Sequence, residues 1–307
     1  MSRQFSFLRS IARLHVEWGV RVIKVEVIEH ETKVRMGLGN VNVFWVVAER
    51  KMRCMNCFGR RCLLVAAMCL GSLAVAHDID FRASPSDARR AEVAKMVSTG
   101  RRAVEKFFHA RFPDVIHVTV AASRAEFNQA FPPTWGMNQT ECWMVGVGVA
   151  DFLVLLSPSA WSREACDHDP RDAQEIRRIV THELVHVFHG QHNPTRDFTG
   201  ADEIGWFVEG LAVLASGQLD AERMARTVDA ARAGDLPKTL GETWSGPNRY
   251  GRAGSVVKYL DEKYGRAMLI SLLPVTKQAD LLMRLGVSEA RLLQEWKAWL
   301  SADRVAR

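Results

Sequence analysis

The chain has 307 residues, 48% of them apolar and 25% charged, which fits one large globular domain or two modest ones and excludes collagen, coiled-coil and disordered chains. Its formal charge of +6 is unevenly spread: residues 1–76 hold 12 of the 41 Lys+Arg and 5 of the 35 Asp+Glu, leaving 29 and 30, a net of −1, for the rest. No electrostatic footprint for nucleic acid remains in residues 77–307, and no nucleic-acid partner is expected.

Residues 1–51 read as an upstream extension without a role in the fold, with translation starting at Met52 or Met55. The competing reading is a β-rich leader, since HVEWGVRVIKVEVIEH alternates as a strand does. Arg60 and Arg61 then precede an apolar run from Cys62 that closes on Ala74-Val75-Ala76. A positive flank, a short apolar core and a small-x-small end make residues 52–76 a secretory signal peptide. The run is about 15 residues, shorter than the roughly 20 a bilayer requires, so no stable membrane span is expected in the mature chain. A secreted or periplasmic location follows. Cys54, Cys57, Cys62 and Cys69 fall in this leader, and only Cys142 and Cys166 remain. An even pair in an oxidising compartment predicts a disulfide, worth about 3 kcal/mol in the chain-entropy picture.

Ser84 to Phe112 is predicted as a helix, started by Ser86 or Asp87, with Val93, Met96, Val97, Val104, Phe107 and Phe108 at helical spacing. Asp114 to Ala121 alternates as a strand, and Ser123 to Phe131 is a short helix with Ser123 as cap and Glu126 at the capping-box position. Trp143 to Leu156 is β-forming, either two strands hinged near Ala150-Asp151 or one long bent strand. Gly146 and Gly148 within it mark a bulge or a close backbone approach. Asp172 to Gly190 and Trp206 to Leu219 are helices. Residues 221–300 are all-helical, broken at Gly234, Pro237, Gly246-Pro247, Gly265 and Pro274. The order gives an α+β domain with a helical C-terminal half.

The helix from Asp172 carries THELVHVFHG. His182 and His186 are four residues apart, so both imidazoles leave one helix face, where two nitrogen donors can hold Zn²⁺. Glu183 sits beside them as general base for a water activated there. Val180, Leu184, Val185, Val187 and Phe188 make the helix apolar on most sides. Polar groups embedded in such a helix require a partner to offset desolvation, and a metal supplies one. Two third ligands compete. Glu209 follows in the apolar run WFVEGLA, where a carboxylate is out of place unless bound. His192 fits the spacing of the longer motif H-E-x-x-H-x-x-G-x-x-H, but the glycine that motif needs is displaced by one, to Gly190.

With Glu209 as ligand, the chain resembles the gluzincin metallopeptidases and, within them, the peptidase MA-like domain. The resemblance rests on THELVHVF, GWFVEGLAV, the strand GVGVADFLVLLSP before the motif and RYGRAGSVVKYLDEKYG after it, across roughly residues 114 to 300. It implies a thermolysin-like zincin catalytic domain over residues 77–307: a small sheet, the HExxH helix and an all-helical C-terminal half. It implies His182, His186 and Glu209 as zinc ligands, Glu183 as base, and a peptide or protein substrate whose peptide bonds are hydrolysed. It also implies an edge strand, here Gly146 to Phe152, that pairs with the substrate backbone, and an oxyanion-stabilising group, here Tyr250. The rival readings are a metzincin-like peptidase using His192 and a non-catalytic zinc-binding protein of the cell envelope on the same fold. His189, Arg177 and Arg178 are expected at the surface, and Trp206, Trp244, Trp296 and Trp299 in the core. Asp202 and Glu203 are candidates to orient a ligand histidine.

Overall fold

The computed structural model describes residues 12–18, 21–28, 31–38, 41–48, 79–132 and 139–302. Residues 52–76, expected as a signal peptide, and their cysteines lie outside these residues. The chain divides into two units, Met1–Ala74 and Val75–Arg307. In the first, β1 (Ala12–Trp18), β2 (Arg21–Ile28), β3 (Glu31–Leu38) and β4 (Val41–Ala48) pair in sequence order as an antiparallel meander. These strands carry the alternation seen in HVEWGVRVIKVEVIEH.

The second unit begins with β5 (Ile79–Ala83), α1 (Arg90–Phe108), β6 (Ile116–Ala121) and α2 (Arg124–Gln129). The sequence placed the start of α1 six residues too early. Ser84, Pro85, Ser86 and Asp87 instead form a turn, in which Asp87 N–H bonds the Ser84 carbonyl and the Asp87 carboxylate accepts from Arg89 N–H. Such side chains offer backbone donors an alternative to the helix. Ser123 does cap α2, accepting from Glu126 N–H, while the Glu126 carboxylate reaches back to Ala122 N–H.

β7 (Gly146–Val149) and β8 (Phe152–Leu156) are two strands joined by a tight reversal. Ala150 turns the chain with φ 53°, a left-handed conformation uncommon for a residue with a Cβ. The strand order is β5-β6-β8-β7, parallel through β5, β6 and β8 and antiparallel between β8 and β7. Central β8 buries Leu153, Val154, Leu155 and Leu156 in succession because both of its faces are covered. β7 is left at the edge. The edge strand is thus shorter than expected from the sequence: Phe152 belongs to β8, not to the edge.

After a four-residue helix, α3 (Trp161–Glu164), comes α4 (Ala173–Gln191), the motif helix. Asp172 caps it by accepting from Gln174 and Glu175 N–H, each at 2.9 Å. α4 packs against α1 and β7. Phe188 stacks on Phe108 of α1 at 4.4 Å and meets Phe112 edge-on at 5.1 Å. Burying a ring of that size stabilises the fold by about 1.5–3 kcal/mol.

The remainder is helical, as expected: α5 (Gly205–Ser216), α6 (Ala221–Arg232), α7 (Arg249–Tyr264), α8 (Arg266–Leu272), α9 (Gln278–Leu285) and α10 (Glu289–Ser301). α5 is pressed between α4 and α7. Its contact with α7 depends on Gly210, where a Cβ would lie 2.5 Å from the Ala253 carbonyl oxygen. The second unit is therefore α+β, a small mixed sheet followed by helices. Among the described residues no helix is long and apolar enough to cross a membrane.

Candidate metal centre

Two helices bring the site together. His182 and His186 leave the same face of α4, one turn apart, both less than a tenth exposed. Glu209 leaves the middle of α5 toward them. His182 Nε2 and His186 Nε2 are 3.0 Å apart, and Glu209 Oε2 lies 3.3 Å from the first and 3.6 Å from the second. Among the described residues these three form the group able to hold a metal ion. Burial works against the charged form of Glu209, but the His186 charge and hydrogen bonds from both histidines outweigh it and hold the carboxylate well below its usual range. Burial likewise opposes protonation of His186, yet Glu209 and then Glu183 raise its pKa. A tight, buried N, N, O set that favours an anionic carboxylate suits a cation.

The Glu183 carboxylate has its own anchor. Gly148 N–H of β7 donates to Glu183 Oε2 at 2.7 Å. The contact is possible because position 148 lacks a side chain: a Cβ there would fall 1.9 Å from the Glu183 carbonyl oxygen. The glycines of GVGV thus do serve a close approach, as the sequence suggested, but the partner is the motif helix. At Gly146, too, a Cβ would meet Glu183, at 2.8 Å from Cγ.

The rival third ligand is elsewhere. His192 ends α4, its Nδ1 bonded to the Phe188 carbonyl at 2.8 Å and its ring on the Phe188 ring at 4.2 Å. Gly190 lies inside α4 rather than at a turn, so the chain does not fold back to bring His192 to the pair.

His189, expected at the surface, is fully buried. Its Nε2 donates to the Leu273 carbonyl at 3.1 Å and its ring packs on Phe198 and Phe207. Burial first, then the nearby His186 charge, lowers its pKa to about 3, so it is neutral. A period of seven residues from His182 would place it on the ligand side of an isolated helix. The C-terminal helices cover that end of α4, and sequence alone gave no sign of this.

Two adjoining hollows of about 560 and 510 Å³ meet at the site, sharing His182, Glu183, Gly146, Trp143, Arg249 and Tyr250. Tyr250, in the first turn of α7, lies with its ring 6.2 Å from that of His182. Burial and the Glu209 charge raise its pKa, so the phenol keeps its proton. Trp244 is half-buried against Tyr250 and lines the second hollow, whereas Trp206 and Trp296 are core residues as expected. Arg178 lines the first hollow and reaches Asp220 at 3.5 Å, correcting its placement on a solvated face. Asp202 lines the second hollow, and Glu203 accepts from Gln278 N–H. Among the described residues neither bonds the ligand histidines, and His182 Nδ1 is buried without a partner.

Cys142 and Cys166 form a disulfide, with Cα atoms 5.3 Å apart. It ties the segment entering β7 to the loop before α4. The next residues, Trp143 and Asp167, both line the first hollow. Sequence reasoning missed Trp143 and Arg249 as cleft residues. Only its neighbour Tyr250, singled out from the sequence, pointed near Arg249.

No family model, curated protein or solved structure matches the chain.

Proposed function

We propose that this protein is a zinc-dependent metallopeptidase of gluzincin type, with a thermolysin-like arrangement of sheet, motif helix and helical half. The observation that carries the reading is the convergence of His182, His186 and Glu209 beside an anchored Glu183 at the waist of an open cleft. A tetrahedral site with bonds of about 2.0–2.1 Å separates its ligand atoms by about 3.3–3.4 Å. The separations of 3.0, 3.3 and 3.6 Å bracket that value. Three protein ligands leave a fourth position open, as catalytic rather than structural zinc requires.

When bound, zinc supplies Lewis acidity that polarises a carbonyl and makes a water nucleophilic near neutral pH. The chain's own groups handle the protons. Gly148 N–H fixes one Glu183 oxygen, leaving the other to take a proton from the attacking water and deliver it to the departing amine. The Tyr250 hydroxyl, kept protonated, donates to the charge developing on the scissile carbonyl oxygen. Val145 is bonded to Leu156, so by antiparallel alternation Gly146 turns its N–H and carbonyl away from β8. That free edge suits an extended peptide. The Cys142–Cys166 disulfide supports a secreted or periplasmic setting.

The test is incubation of the zinc-loaded protein with a mixed peptide library, followed by sequencing of products. Cleavage that a chelator stops and zinc restores is expected. An intact library across the whole mixture overturns the peptidase reading.

A further inference from the structure

The cleft holds three guanidinium groups, and two of them are committed. Arg178 and Arg223 both reach Asp220, at 3.5 and 2.8 Å. Arg249 differs. Its Cζ lies 5.0 Å over the Trp244 ring, 5.3 Å over Tyr250 and 5.6 Å over Trp143. Among the described residues no carboxylate pairs with it.

The Tyr250 hydroxyl accepts a hydrogen bond from Arg249, but beyond it the aromatic faces, which steady a cation and shield it from water, do not give the in-plane N–H groups the paired oxygen acceptors that a guanidinium fork matches best. A half-buried, always-charged group is thus held in shape with donors to spare. It stands where both hollows meet, next to Tyr250 in sequence and within the same wall as His182 and Glu183. Of the other acidic side chains lining the first hollow, Asp167 is exposed, and three more are engaged. Glu175 bonds His168, Asp172 caps α4, and Asp220 holds the two other arginines.

We propose that Arg249, clamped between Trp143, Trp244 and Tyr250, is a specificity residue that binds a carboxylate of the substrate close to the scissile bond. The site takes a carboxylate from one of two sources, an acidic side chain or a free C-terminus. It deepens the peptidase reading, on which only the placement beside a scissile bond rests; the anion site stands or falls by binding.

The test therefore reads binding, using the full chain with Glu183→Gln so that no probe is consumed. The probes are acetyl-Ala-Glu-Ala-amide against acetyl-Ala-Gln-Ala-amide, and acetyl-Ala-Ala-Ala as free acid against amide. The signal is the fluorescence of Trp143 and Trp244, which flank the guanidinium. An arginine–carboxylate pair is expected to favour the acid of at least one pair by about tenfold or more. Arg249→Gln should erase that preference, and Arg249→Lys, which keeps the charge and loses the fork, should retain part of it. A preference in the first pair assigns a side-chain carboxylate, and one in the second assigns a C-terminus. Equal binding of acid and amide in both pairs, or no binding of any probe, overturns the proposal, as does a preference that survives in Arg249→Gln. Acid preference with no cleavage of the library leaves the anion site and removes the peptidase reading. Cleavage without acid preference does the reverse.

Discussion

His186 and His189 sit one turn apart on the same helix, both buried, and they behave oppositely. His186 faces Glu209 across 3.6 Å and is pushed toward its charged form. His189 faces the Leu273 carbonyl and two phenylalanine rings and is forced neutral. Along α4, the stretch around His182 and His186 is therefore built around charge and an open cleft, and the C-terminal end around packing. Burial is common to both. What separates them is whether the neighbouring element brings a carboxylate or a carbonyl.

The largest expected effect tests the cleft side. Glu183→Gln should lower turnover about a thousandfold or more, within the range for loss of a general base, while zinc content by elemental analysis stays at the wild-type level. Full activity in that variant breaks the assignment. On the packing side, Phe188→Ala should cost about 3–5 kcal/mol in denaturant unfolding, because it empties the stack on Phe108. Removing Glu209 probes the boundary between the two sides. Glu209→Ala should weaken zinc binding by about a hundredfold or more, as judged by competition with a chelator, and His192→Ala should leave it unchanged. The reverse outcome would hand the third position to His192. The smallest effect belongs to His189. Its folded pKa of about 3 lies below the ordinary histidine value of 6.5, so its contribution is complete above pH 6.5 and is lost as pH falls toward 3. At pH 5 the loss is about 2 kcal/mol, at roughly 1.4 kcal/mol for each pH unit below 6.5. Unfolding in chelator keeps the metal site out of the measurement, and His189→Gln should flatten the slope between pH 6.5 and 5. An unchanged slope would mean that His189 is not the group responsible.

The sequence by itself determined the local pieces. Spacing put His182 and His186 on one face of a helix. The capping signal of Ser123 started its helix where expected, and a carboxylate in the run WFVEGLA singled out Glu209. These are short-range properties, fixed by a period of 3.6 residues or by a side chain bonding a backbone a few positions away. Besides the approach of Glu209 to the histidine pair, the even cysteine pair is the long-range contact the sequence named, on the expectation that the other four cysteines leave with the leader. Only the tertiary structure decided what each face meets. It set the Gly148 N–H on Glu183, sealed His189 under the C-terminal helices and carried Arg249 to the waist of the cleft. Each of these depends on an element distant in the chain, and no periodicity within a helix encodes what a neighbouring element brings against it.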